Sequence, residues 1–109
     1  FARAQARELF IPTKLFPDYL RTSQSLSRDT LLASVGANIR FTIPPAWASF
    51  RGTGLVLVGA NERRMMKTSA HLLAQVHHGS PAEIVAECGH GIPLQRPAWL
   101  AERLQRWLQ

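Results

Sequence analysis

Glu83-Ile84-Val85-Ala86-Glu87-Cys88-Gly89-His90-Gly91-Ile92-Pro93-Leu94 is the stretch on which the reading of the fold turns. Ile84, Val85 and Ala86 form a short apolar run with β-branched residues, the composition of a strand. Gly89 and Gly91 remove Cβ on both sides of His90, so the backbone can turn sharply or approach another group closely. Pro93 has no N–H to give a ladder, and the strand cannot run through it in a central position. A histidine delivered just past the carboxyl end of a strand stands where a general base sits in an open α/β sheet. Taken alone, a histidine in a glycine turn is more often a hydrogen-bonded structural residue, so the sequence upstream has to decide.

Upstream, Leu55-Val56-Leu57-Val58 is apolar at every position, the pattern of a strand covered on both faces in a parallel sheet. Gly59-Ala60-Asn61-Glu62 follows as a turn. Residues 63–77 read as a helix, because Met65, Met66, Ser69, Leu72, Leu73 and Val76 recur at three-to-four spacing. His77-His78-Gly79-Ser80-Pro81 ends it with turn residues, and the strand over 84–86 comes next. A strand–helix–strand unit of this length predicts a right-handed crossover and parallel pairing. The closing helix begins near Pro97, a favoured first-turn residue, with Leu100, Leu104, Trp107 and Leu108 on its apolar face.

Both turns then leave the same edge of the sheet, from strands about 4.8 Å apart if they are neighbours. One carries Glu62 and the other His90. A carboxylate beside an imidazole can accept Nδ1–H, fix the tautomer and leave Nε2 free as a base.

The N-terminal part reads as helical. Ala2, Ala6, Leu9 and Phe10 share one face of a helix over residues 1–10, ended by Pro12. Leu15-Phe16-Pro17-Asp18-Tyr19-Leu20 reads as a turn and a short helix that covers a cavity, packs on a partner or anchors a loop. Ser27 is placed to cap a second helix carrying Leu31, Leu32 and Val35, stopped by Gly36 or Asn38. Residues 39–53, with Pro44-Pro45, read as an irregular connection. The expected division is a helical segment over 1–45 and an α/β portion over 46–109.

The 109 residues are 46% apolar, enough for one small core. No apolar run approaches the roughly 20 residues of a membrane helix. The chain opens Phe-Ala-Arg-Ala-Gln-Ala-Arg, without Met or a legible signal peptide, which predicts a piece or a processed product. Cys88 is the single cysteine; it excludes an internal disulfide and leans towards a reducing, cytoplasmic compartment. The net charge is +6, but the arginines are dispersed and no aromatic residues alternate with them, so no nucleic-acid partner is expected.

The segment Gly54-Leu55-Val56-Leu57-Val58-Gly59-Ala60-Asn61-Glu62, a helix, a strand, and then Cys88-Gly89-His90-Gly91-Ile92-Pro93-Leu94-Gln95-Arg96-Pro97 resembles the C-terminal third of an α/β-hydrolase. In that family the acid follows the penultimate strand and the base lies in a Gly-His turn before the last helix. The resemblance implies an α/β fold of strand–helix–strand–helix with parallel strands, preceded by the end of a helical lid. It implies an esterase-like serine hydrolase acting on a small ester-like substrate, with His90 as general base and Glu62 as its orienting acid, and with residues 10–35 in the lid and substrate pocket. Two features depart from the family. Glu62 stands where aspartate is commoner, and no Gly-x-Ser-x-Gly occurs, so the nucleophile has to come from elsewhere. The chain alone is therefore expected to be inactive.

Other chemistries are weaker. His77, His78, Cys88 and His90 lack zinc-ligand spacing, and no metal or cofactor is expected. Cys88 and His90 are too close in sequence for a ready thiol–imidazole bond, so Cys88 reads as a small buried residue. From a different class, the chain could be a non-catalytic module. A strand apolar on both faces needs more cover than these helices give, which predicts self-association or docking on a missing N-terminal half.

Overall fold

The computed structural model describes residues 2–77 and 81–109. Helix α1 spans Ala2–Glu8 and packs on α2, Phe16–Ser25. It ends before Pro12, and Phe10, in the turn that follows, has a φ of 58° that rules out a helical continuation. A single 3-10 turn, Thr13–Leu15, leads into α2. Helix α3, Arg28–Ile39, starts at the expected cap: Ser27 Oγ accepts the Thr30 N–H at 3.1 Å. It runs through Gly36 and Asn38. The connection after it contains a short helix α4, Pro45–Ser49, entered through Pro45.

Strand β1, Leu57–Gly59, and strand β2, Glu83–Val85, are parallel, with Leu57 opposite Glu83, Val58 opposite Ile84 and Gly59 opposite Val85. Between them, α5 covers Arg64–Val76 and packs on β1, burying Ala70 and Ala74. The turn expected over 77–81 lies largely outside the described residues. After β2 come α6, Ile92–Gln95, and α7, Pro97–Leu108, the latter with Pro97 in its first turn. Arg103 of α7 donates from Nε to Glu83 Oε2 at 2.7 Å and ties the last helix to β2.

The expected α/β class, the C-terminal part of an α/β-hydrolase fold, has to be corrected. The chain is mainly helical: the described residues form seven α-helices and a sheet of only two strands. The reason lies in β2. Pro81 stands just before it, and Glu87 adopts a φ of 53° just after it, so three residues are left to pair. A partner strand can be no longer than its ladder, and Leu55 and Val56 stay outside β1 as half-buried connection.

The core is correspondingly small: Ala6, Val58, Ala70, Ala74, Val85 and Cys88 are its buried apolar residues. The chain exposes 8451 Å², against about 6,100 Å² for a compact monomer of its mass. Its radius of gyration is 16.0 Å, where about 13 Å fits a compact domain of this length. No helix among the described residues is long and apolar enough to cross a membrane.

Candidate functional site

The ends of the two strands are fastened to each other before any side chain is considered. Ala60 N–H donates to the Val85 carbonyl and Asn61 N–H to the Cys88 carbonyl, both at 2.8 Å. Lys67, one turn into α5, donates from Nζ to the Ala60 carbonyl at 3.2 Å. The turn after β1 and the turn after β2 therefore form one unit. Gly59 is required where they cross, because a Cβ there would run into the carbonyls of Cys88 and Gly89. Gly91 is required for a second approach: a Cβ on it would strike the Leu9 carbonyl, where the end of α1 lies over the histidine turn. No glycine among the described residues has positive φ. Their role here is close approach, and Glu87 takes the left-handed turn.

This frame brings Glu62 and His90 together. Glu62 Oε1 meets His90 Nδ1, and Oε2 accepts the N–H of Arg63 at 3.1 Å. Both carboxylate oxygens are engaged, and the side chain is only 8% exposed while the imidazole is 46% exposed. An ionised carboxylate only accepts, so it favours a proton on Nδ1, and in the neutral ring Nε2 then keeps its lone pair. The orienting bond is sheltered and the basic nitrogen belongs to the exposed ring.

Two clefts border the imidazole. One, of about 270 Å³, is lined by Leu9, Met65 and Met66 with Gln5, Glu8 and Arg63. The other, of about 300 Å³, adds Arg7, Phe10, Asn61 and Gly89. Arg63 Nη2 donates to Glu8 Oε1 at 3.1 Å and bridges α1 to the acid-bearing turn. A larger groove of about 470 Å³ lies between α1 and α2, with Ala6, Ile11 and Phe16 as its floor. It does not reach His90, but it shares Arg7 with the second cleft.

Among the described residues, none lining either His90 cleft is a serine, threonine or cysteine. Cys88 is fully buried, and its Sγ lies 3.3 Å from Gln95 Oε1. Burial pushes its thiol pKa up, against smaller opposing effects of Arg96 and the Gly89 N–H. A thiol held neutral is a poor nucleophile. Gly89 N–H is also spoken for, donating to Gln95 Oε1 at 2.7 Å. The arrangement can thus take a proton at Nε2 but carries no nucleophile of its own in the clefts.

The other histidine and cysteine positions weighed as ligands do not converge. His77 is buried and stacks on Trp47, ring centres 4.3 Å apart; Cys88 turns to Gln95 and His90 to Glu62. His78 lies outside the described residues. No group of three or more metal-ligating side chains occurs among the described residues.

Sequence reasoning missed Gln95, which braces the histidine turn through Cys88 and Gly89. It also missed Arg96, whose Nη1 donates to the Ala86 carbonyl at 2.9 Å, and the role of α1 as a cover. Long-range partners of this kind leave no periodic signal. In comparisons with known proteins, the chain matches no family model, no curated protein and no solved structure.

Proposed function

We propose that Glu62 and His90 form the acid–base half of an acyl-hydrolysing site of the serine-hydrolase kind. Glu62 orients the imidazole, and His90 Nε2 takes the proton from a hydroxyl nucleophile and returns it to the leaving group. The observation that carries this reading is the bond of His90 Nδ1 to a carboxylate whose other oxygen is already held by a backbone N–H. The reading is one of chemistry and does not depend on the fold, because the same relay is built on unrelated architectures. The groove over Ile11 and Phe16, which shares Arg7 with the His90 cleft, offers an apolar wall for the acyl part of an ester. The hydroxyl nucleophile belongs to none of the cleft-lining residues, and a segment outside the two clefts would bring it to Nε2.

The test has two arms. Nitrogen NMR of the 109-residue chain should find His90 as the Nδ1–H tautomer and should find that preference weakened in Glu62→Gln. An imidazole that samples both tautomers in the parent chain would end the orienting role. In the second arm, the full reading frame containing this chain is exposed to a fluorophosphonate serine probe. Labelling should fall by about 1,000-fold or more in His90→Ala, as for loss of a relay member. Absent labelling, or labelling indifferent to His90, would sink the reading.

A further inference from the structure

Helix α3 is weakly supported by the rest of the described chain. None of its residues is buried, and among the described residues no helix or strand shares an extended contact with it. A helix of its 12 residues is marginal in water without tertiary packing, since isolated helices shorter than about 12–15 residues seldom hold. Yet Leu32, Val35 and Ile39 stand on it 58%, 43% and 78% exposed. Their spacing of three and then four residues is that of a helix-pairing seam. Leu31, about 100° round from Leu32, is half-buried, whereas the three stripe residues are exposed.

We propose that α3 is the seam of a symmetric dimer, in which two copies of this chain pack antiparallel along Leu32, Val35 and Ile39. Charge chooses a second copy as the occupant. Asp29 and Arg40 lie on the same flank of the stripe, about 60° and 80° round from Leu32 at 100° per residue. Gly36 lies on that flank too, and Arg40 folds its guanidinium over it. Neither Asp29 nor Arg40 forms an ion pair among the described residues. When two such helices pair antiparallel about a two-fold axis, like flanks face each other. Asp29 then comes opposite the partner's Arg40, and symmetry makes the pair twice. Leu32 meets the partner's Ile39, and Val35 meets the partner's Val35 at the axis. Parallel pairing would separate the charged flanks and align the helix dipoles unfavourably. This inference stands independently of the roles given to Glu62 and His90.

Light scattering on the 109-residue chain is expected to give twice the chain mass at micromolar concentration. Asp29→Arg should weaken the dimer about tenfold by replacing two exposed attractions with repulsions, and Arg40→Asp added to it should restore the parent affinity. Under oxidation, Val35→Cys should give an intermolecular disulfide, while Leu32→Cys and Ala33→Cys should not. Cys88 is buried and stays out of the reaction. A monomer at every concentration would overturn the proposal, leaving α3 to some other partner. A dimer untouched by Asp29→Arg, or one cross-linked as well through Ala33→Cys, would equally overturn the seam, and cross-linking through Leu32→Cys would overturn its antiparallel sense.

Discussion

Cys88 sits two residues before His90 and shows how a reactive residue type becomes structural. Its side chain is fully buried, it shares Gln95 Oε1 with the Gly89 N–H, and desolvation raises its pKa despite Arg96. The thiol is needed neutral to sit where it does. A proton held more tightly in the folded than in the unfolded chain gives a stabilisation that is complete below the ordinary thiol pKa of about 8.5. It is lost as pH climbs from there through the raised folded value. Urea midpoints should therefore fall more steeply above about pH 8.5 in the parent chain than in Cys88→Ala. Alkylation by iodoacetamide at pH 8 should also lag well behind that of the unfolded chain. Equal pH slopes in the two proteins would show that burial of this thiol is not what loads the histidine turn.

At the scale of elements, what could be read was whatever local chemistry alone decides. Met65 through Val76 and Pro97 through Leu108 repeat at helical spacing, and both form helices. Ser27 caps α3 as its hydroxyl and position require. The parallel pairing of the two strands, and with it the meeting of Glu62 and His90, followed from one strand–helix–strand unit. The extent of the sheet did not follow. An apolar run such as Leu55–Val58 says that it will be covered, not whether strands or helices will cover it, and the left-handed Glu87 that shortens β2 carries no sequence mark. Nor could spacing reveal that Leu9 and Phe10 close over the histidine turn, since that contact spans most of the chain. The cap of α3 offers a test at this scale. Removing the Ser27 hydroxyl frees the Thr30 N–H, which costs about 1 kcal/mol at an N-cap. Because α3 has so little else to hold it, Ser27→Ala should shorten amide-exchange protection at Leu31 and Leu32 while leaving α5 unchanged. Equal loss in α5 would mean that α3 melts only with the whole chain.

For the molecule as a whole, the balance of surface to core governs behaviour. Among the described residues six small or medium apolar side chains make the buried core, while Ile39, Phe41, Met65 and Leu108 remain 64% to 78% exposed. With so little burial per residue, association and stability should be the same property. If two chains unfold together, each tenfold rise in concentration adds about 1.4 kcal/mol to the dimer. Dividing by the unfolding entropy of about 2.1 cal/mol/K for each residue of both chains gives a Tm rise of about 3 °C per decade. Calorimetry between 5 and 500 μM (roughly two decades, each worth 1.4 kcal/mol) should show that drift in the parent chain. Val35→Asp, which sets like charges against each other at the two-fold axis, should both lower Tm and abolish the drift. A Tm independent of concentration in the parent would mean that the small core holds a single chain unaided, and the exposed apolar stripe on α3 would then have to be explained without a second copy.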